Sequence, residues 1–192
     1  MSTVAIAYHS GYGHTAVVAQ AVARGVASVA GASAVLVPVE EADARLSELH
    51  AADAIIFGAP TYMGSASAPF KAFMDGTSKF FATGVWKNKL AAGFTVSASQ
   101  NGDKLNTLVQ LTIFAMQHGM VWAGLGLLPG NNSSKGSVED LNQMGSFIGA
   151  MAQANADQGA EGIKASDLRT AEHLGKRVAE LALGRVGLKA AA

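Results

Sequence analysis

Short runs of consecutive apolar residues recur five times along this chain of 192 residues, each bounded by glycine, polar or charged residues. They occupy residues 4–8, 34–39, 54–58, 90–97 and 120–123. Because these runs are continuous and do not alternate with polar side chains, they predict strands that are buried on both faces of a parallel sheet. Helices must then cover both sides of that sheet.

The segments between these runs carry apolar residues at helical spacing. From Val18 to Val29 such residues repeat on one face until Gly31, a suitable C-terminal stop. Pro69 stands in the first turn of a later helix, where its missing N–H is harmless. This pattern predicts a doubly wound, three-layer α/β fold in a single domain over residues 1–192. The further helices are predicted at residues 43–50, 69–81, 104–118 and 166–183.

Residues 124–165 interrupt the pattern with polar and glycine-containing stretches. Connections of this length without regular structure are uncommon in a compact domain unless they form a lid or a subunit contact. We expect an irregular excursion here. Its apolar residues Leu125, Leu127, Leu128 and Phe147 are candidates for a subunit interface or a rim of the active site.

The composition excludes several classes of protein. Fourteen basic residues balance fourteen acidic ones, so no net positive field favours nucleic acid or an anionic membrane. The mean hydropathy is +0.24 and the apolar runs are short, which argues against a transmembrane helix and a signal peptide and predicts a cytoplasmic protein. Without cysteine the chain has no disulfide or thiolate. Redox chemistry must therefore come from a cofactor.

In a doubly wound sheet, ligands bind at the carboxyl ends of the strands, so the loops that follow them are the candidate sites. The first loop joins a buried strand to a helix N-terminus and combines glycines with hydroxyl side chains, which suits a phosphate. It lacks the lysine of a nucleotide triphosphate loop. Its candidate phosphate-binding residues are Ser10, Gly11, Tyr12, Gly13, His14 and Thr15.

Two other interpretations of the first loop stay open on spacing alone. Gly11, Gly13 and Ala16 fit the dinucleotide fingerprint, with Glu40 at the end of the next strand as a ribose partner. The loop is alternatively a tight turn without a ligand. His9 and His14 flank it, but neither forms a metal-ligand spacing with a nearby carboxylate or histidine, so no metal site is predicted.

Two further strand-end loops are small, polar and almost uncharged. The second offers an aromatic surface and backbone amides that suit a flat heterocycle, and consists of Pro60, Thr61, Tyr62, Met63 and Gly64. The third could meet the carbonyls of a ring, and consists of Ser97, Ala98, Ser99, Gln100, Asn101 and Gly102. Each taken alone is equally consistent with an ordinary turn or a solvated linker.

Residues 8–19 resemble the FMN-phosphate signature of flavodoxin-like proteins, although Ala7 stands where a larger apolar residue is usual. Together with residues 60–64, 70–75 and 117–121, they resemble the NAD(P)H:quinone oxidoreductases of the tryptophan-repressor-binding-protein type. The resemblance covers residues 3–125 and continues weakly beyond them. It implies a flavodoxin-like five-stranded parallel sheet in the order 2-1-3-4-5.

The resemblance also implies roles for the candidate residues. The first loop would hold the FMN phosphate, the second would border the isoalloxazine, and the third would hydrogen-bond the ring. His118 stands at the position of a histidine near the flavin face and would hydrogen-bond or protonate a quinone oxygen. As a helix C-terminal residue before Gly119, it also has a purely structural interpretation. Phe81 stands in the substrate pocket where the family often has tryptophan.

The sequence therefore predicts an FMN-dependent oxidoreductase that transfers electrons from NADH or NADPH to a quinone. By analogy with the resembling enzymes we expect a homotetramer that shares sites between subunits. The alternatives are a non-enzymatic flavodoxin-type electron carrier, which would typically be acidic, and a flavin-binding accessory protein. A Rossmann-type dehydrogenase would need a substrate domain for which the chain has no room.

Overall fold

The computed structural model of the chain describes the backbone of residues 1–190 and the side chains of residues 1–185. Its strands are β1 (Ser2–Tyr8), β2 (Ala32–Pro38), β3 (Ala54–Tyr62), β4 (Ser65–Ala66), β5 (Leu90–Ser97), β6 (Val121–Trp122) and β7 (Ala150–Gln153). Its helices are α1 (His14–Ala27), α2 (Leu46–Ala51), α3 (Ala68–Gly76), α4 (Ser78–Phe81), α5 (Lys104–Gln117) and α6 (Ala165–Ala190). Short 3-10 turns lie at Val39–Glu41 and Ala160–Gly162.

The sheet confirms the flavodoxin-like α/β fold, with the parallel order β2-β1-β3-β5-β6. The prediction of five strands is wrong in one detail, because two short strands share the fifth position. β6 pairs with the start of β5 at Leu90 and Ala91, whereas β7 pairs with its end from Phe94 to Ser97. β4 adds a short antiparallel pairing to the end of β3.

Helix boundaries differ from the predicted ones at several places. α2 begins at Leu46 and not at residue 43, and α6 continues to Ala190, past the predicted end at residue 183. α1 ends at Ala27, before the predicted stop, and Gly31 adopts a positive φ in the turn into β2. The single helix predicted for residues 69–81 is divided into α3 and α4 at Thr77. Thr77 donates its hydroxyl hydrogen to the carbonyl of Met74, which closes the last turn of α3. Pro69 lies in the first turn of α3, as predicted.

Successive side chains of each central strand pack alternately into two hydrophobic cores, one on each face of the sheet. In β1, Val4 and Ile6 pack towards α1 and α6, while Ala5 and Ala7 pack towards the helices α2 to α5 on the other face. Both faces of the sheet are shielded from solvent, which explains why the strands are continuously apolar. None of the described helices is long and apolar enough to cross a membrane.

Helices α1 and α6 approach each other closely through two glycines. A Cβ on Gly25 would lie 1.9 Å from the carbonyl oxygen of Glu172, and a Cβ on Gly175 would lie 2.0 Å from that of Val22. These contacts are to backbone atoms, so no side-chain rotation can relieve them. The position of α1, and with it that of the loop before α1, depends on this close packing against α6.

We expect Gly175→Ala to lower the free energy of unfolding by about 1–3 kcal/mol, because α6 must move away from α1 to admit the methyl group. Urea denaturation measures the change. Gly184→Ala is the matched control in the same helix, since nothing lies within 4 Å of a Cβ at that position. The control should stabilise by up to ~1 kcal/mol through helix propensity. Equal stability of the wild type and Gly175→Ala would contradict the proposed backbone contact.

Candidate functional site

A cavity of about 550 Å³ opens at the carboxyl ends of β1, β3 and β5. The three strand-end loops predicted from the sequence meet there. Eight predicted residues line it, namely Tyr12, His14, Thr15, Pro60, Thr61, Tyr62, Ser97 and Ala98. Four lining residues were missed, namely Val96 of β5 and the residues Ala154, Ala156 and Gln158 that follow β7.

The first loop presents unpaired donors at the start of α1. Gly13 precedes the helix with a φ of 87°, and the backbone N–H groups of residues 12–15 donate to no described part of the chain. Ser10 Oγ accepts the N–H of Ala16 at 3.1 Å, so this side chain caps the helix. The first turn of α1 contains no acidic residue, and Thr15 is only 1% exposed. Free N–H groups at a helix start without acidic residues suit an anion.

Tyr62 of the second loop leans over the first loop. Its hydroxyl oxygen would lie 2.6 Å from a Cβ at Gly11, and its ring meets that of Tyr12 edge-on with centroids 6.0 Å apart. Burial raises the pKa of the Tyr62 hydroxyl, Tyr12 adds to this rise, and the backbone N–H of Gly11 opposes it. A side chain at Gly11 would displace the Tyr62 hydroxyl, whereas Gly13 is favoured by its positive φ.

The remaining residues of the second loop serve the turn between β3 and β4. Met63 is fully exposed and Gly64 has a φ of 80°. The Gly64 carbonyl accepts a hydrogen bond of 2.7 Å from the side-chain amide of Asn106 in α5. Thr61 points inward, where its hydroxyl shares hydrogen bonds of 2.8 Å with those of Thr95 and Thr107. This buried threonine cluster holds the floor of the cavity.

The third loop is shaped by a buried lysine that the sequence analysis did not single out. Lys104, the first residue of α5, donates to Ser97 Oγ at 2.7 Å, to the Ser99 carbonyl at 2.8 Å and to the Gln100 carbonyl at 2.7 Å. Burial lowers the pKa of its ammonium group to about 8, and Asp167 opposes this shift. Beyond Ser97 and Ala98, the loop residues Ser99, Gln100, Asn101 and Gly102 do not line the cavity.

The segment after β7 closes the fourth side of the cavity. His14 Nε2 donates to the carbonyl of Gln158 at 2.9 Å. This hydrogen bond joins the first loop to the excursion of residues 124–165. The N–H of Ala154 donates to the Ser97 carbonyl at 3.1 Å, and Gln153 Nε2 donates to that of Ala98 at 3.0 Å. The end of the excursion is therefore part of the site and not a peripheral linker.

His118 and Phe81 lie together, away from this cavity. α5 starts beside the third loop, and its 14 residues extend about 21 Å before His118 caps its far end. There the N–H of Asn88 donates to the Gly119 carbonyl at 2.9 Å, close to the start of β5. The His118 and Phe81 rings are 6.1 Å apart between centroids, and Phe81 is 52% exposed. Neither residue lines the cavity of its own chain.

The tautomer of His118 follows from its hydrogen bonds. Its Nε2 lies 2.8 Å from the Thr77 hydroxyl oxygen, whose own hydrogen goes to Met74. His118 Nε2 must therefore carry the hydrogen and donate it to Thr77. Burial lowers the pKa of the ring, which also packs against Trp86 and Phe114 with centroids 4.6 and 5.0 Å away.

Glu40 and His9 form a separate group beside the first loop. His9 shares a hydrogen bond of 2.7 Å with Ser67 Oγ, and its Nε2 lies 3.5 Å from a carboxylate oxygen of Glu40. Glu40 lines a different groove, between the 3-10 turn after β2 and α3. It is not placed to hold a ribose in the main cavity. The described residues contain no cluster of three or more histidine or acidic side chains that could hold a metal.

Comparison with known proteins agrees with this architecture. The model of the NADPH-dependent FMN reductase family matches residues 13–131. Flavodoxin FldP of Pseudomonas aeruginosa is 42% identical over 94% of this chain and 97% of its own length. A NAD(P)H dehydrogenase (quinone) of Syntrophobacter fumaroxidans is 33% identical over 93% of this chain and 96% of its own.

Among solved structures, a flavodoxin, WrbA-like protein from Agrobacterium tumefaciens superposes with a TM-score of 0.76 and 39% identity, over 96% of this chain and 99% of that one. The chain therefore belongs to the NADPH-dependent FMN reductase family and has the flavodoxin-like fold of its WrbA-like relatives.

Proposed function

We propose that the protein binds FMN in the cavity at the strand ends and transfers electrons from NADH or NADPH through it to a quinone. The observation that carries this proposal is the start of α1, where the N–H groups of residues 12–15 donate to no described part of the chain and Tyr12, His14 and Thr15 line one end of the cavity. A doubly charged phosphate is stabilised there by the helix dipole without any basic side chain. The volume of about 550 Å³ is in the usual range for small-molecule sites.

The residues present suit the other parts of FMN as well. Thr15 and His14 lie at the phosphate end, and Tyr62 offers an aromatic face for the ring. Ser97 and Ala98 stand across the cavity, at the end of β5. When bound, FMN accepts a hydride from reduced nicotinamide and passes two electrons to the acceptor. The chain contributes binding, orientation and exclusion of water.

A second candidate function is a flavodoxin-type electron carrier. It is favoured by the name of the 42% identical relative, flavodoxin FldP. The quinone reductase is favoured by the family model and by the relatives named NAD(P)H dehydrogenase (quinone). The balanced charge of this chain, with fourteen basic and fourteen acidic residues, also differs from that of a typical acidic carrier.

His118 enters this proposal only if subunits assemble. It lies far from the cavity of its own chain, so it can reach a quinone only at the flavin of another subunit. An exposed apolar stripe along α5 supports such an assembly, because Leu105, Val109, Ile113 and Met116 recur at helical spacing and are all partly or largely exposed. We infer a homotetramer in which His118 and Phe81 face a neighbouring active site.

Thr15→Val tests the phosphate end of the cavity. The variant keeps the side-chain shape but removes a hydroxyl donor, so we expect the FMN dissociation constant to rise about tenfold. The riboflavin dissociation constant should stay unchanged because riboflavin lacks the phosphate. Quenching of flavin fluorescence measures both. Thr112→Val in α5 is the control, since the Thr112 hydroxyl donates to the Leu108 carbonyl and has no other partner among the described residues. Unaltered FMN affinity in Thr15→Val would show that this threonine is not an anchor.

Anaerobic addition of NADH or NADPH to the FMN-loaded, desalted protein separates the enzyme from the carrier. A reductase should bleach the flavin absorbance directly, and the two rates would rank the donors. A carrier should remain oxidised until a separate reductase is added. Free FMN with the same donor is the control for uncatalysed reduction. Desalted protein without flavin absorbance would contradict FMN binding itself.

His118→Gln tests the proposed role at the subunit boundary. We expect quinone turnover to fall about 100-fold, because the protonated ring, with its Nε2–H held by Thr77, would give its Nδ1 proton to a quinone oxygen, while the FMN dissociation constant stays unchanged. His50→Gln is a matched control, because His50 packs on Phe80 and Trp86 in the same aromatic cluster. Light scattering should show a tetramer. A monomer that still reduces quinones would exclude the shared site, and full turnover in His118→Gln would exclude its catalytic role.

A further inference from the structure

Both the helix dipole and burial disfavour the positive charge of Lys104. It is the first residue of α5, so its charge meets the positive end of the helix dipole. Its side chain is also fully buried, with 0% exposure, and makes no ion pair with any described carboxylate. Burial of an ammonium group is unfavourable unless hydrogen bonds replace its lost hydration. The hydrogen bonds that Lys104 makes must therefore compensate for its burial.

The contacts of Lys104 all belong to the loop between β5 and α5. The three hydrogens of its ammonium group are directed at Ser97 Oγ and at the carbonyls of Ser99 and Gln100. Ser97 Oγ in turn donates to the Ser99 carbonyl at 2.9 Å. Because Ser97 lines the main cavity, Lys104 is separated from that cavity by a single hydrogen-bonded side chain.

These bonds divide the polar groups of the loop into two sets. The backbone carbonyls of residues 97–101 all accept hydrogen bonds from within the protein. The backbone N–H groups of residues 98–102, by contrast, donate to no described part of the chain. The loop therefore turns its acceptors inward and keeps its donors free, with a buried positive charge behind it.

The free N–H groups and the buried ammonium group together determine which ligand edge this loop can bind. Free N–H groups favour a ligand edge rich in acceptors and leave a ligand donor without a partner. A buried cation next to them favours negative charge on that edge. Transfer of a hydride to the neutral oxidised flavin ring adds two electrons and one proton, so the reduced ring carries one negative charge shared by acceptors of its pyrimidine edge.

We propose that Lys104 is a positioning residue for the loop of residues 97–102, whose Ser97 and Ala98 reach the main cavity, and that its buried charge thereby favours reduced over oxidised FMN. The proposal rests on FMN being the ligand of the main cavity. Lys104 orients the loop carbonyls inward and supplies a buried positive charge, which the small polar loop residues do not do by themselves. A lysine that merely stabilised the fold would change the affinities for both redox states by the same factor.

The experiment compares Lys104→Met with Lys104→Gln. Methionine matches the length of lysine but lacks both the charge and the donors, whereas glutamine lacks the charge and keeps two N–H donors. Lys71→Met is the control, because Lys71 is exposed and, among the described side chains, pairs only with Asp75 on the same helix. Dissociation constants of oxidised and reduced FMN are measured anaerobically, together with that of riboflavin and the reduction potential of the bound flavin.

For Lys104→Met we expect the affinity for reduced FMN to fall at least about tenfold more than that for oxidised FMN. For a two-electron couple this shifts the potential by about 30 mV per tenfold, here to more negative values. Riboflavin should weaken as much as FMN, because the ring edge and not the phosphate is affected. Lys104→Gln should bind oxidised FMN nearly normally and still lose affinity for reduced FMN. Lys71→Met should match the wild type.

Each contrary result has a definite meaning. Equal losses in both redox states would reduce Lys104 to a structural role, and unchanged constants in both variants would show that the loop does not face the ring. If Lys104→Met fails to fold, Lys104→Gln decides between these outcomes. Wild-type protein that retains no FMN would overturn the proposed function and this inference with it, whereas retained FMN with an unshifted potential overturns the inference alone.

Discussion

A parallel sheet that is buried on both faces leaves only one place for polar chemistry. The central strands β1, β3 and β5 lie between two dry cores, so their side chains are committed to packing. Most side chains of these strands pack into the two cores, and the polar residues of the candidate site lie at the strand ends and in the loops that follow them. Since parallel strands end on the same edge, the loops after β1, β3 and β5 converge on one cavity without any other device.

The elements that could be predicted are those set by local pattern. The continuous runs identified β1, β3 and β5, and the three loops after them contain eight of the cavity residues. β7 was missed because its four residues include methionine and glutamine and carry no strand signal, and only pairing with β5 makes them a strand. Ala154 and Gln158 were missed for the same reason, since their position depends on that pairing.

Lys104 and His118 show a different limit of sequence reasoning. Both are polar residues at the ends of one helix, and neither end by itself shows where the side chain points. Tertiary packing turns Lys104 beneath the third loop and encloses His118 among Trp86, Phe114 and Thr77. The resemblance placed His118 near a flavin, and in a single chain the fold separates them by the length of α5. Within one chain the cavity and His118 are therefore separate, and the proposed quinone site would need residues of a second subunit.

The shared fifth position of the sheet also has a geometric consequence. Trp122 of β6 pairs with Ala91, and Ala150 of β7 pairs with Phe94 on the same strand. The two anchor points are thus only three residues apart along β5, about 10 Å. A bridge of a few residues would span that gap, so the sheet does not require the length of the segment between them. The pairing along β5 therefore does not fix the length of residues 123–149, although Ala123 and Leu125 within them pack in the core against α1 and α6.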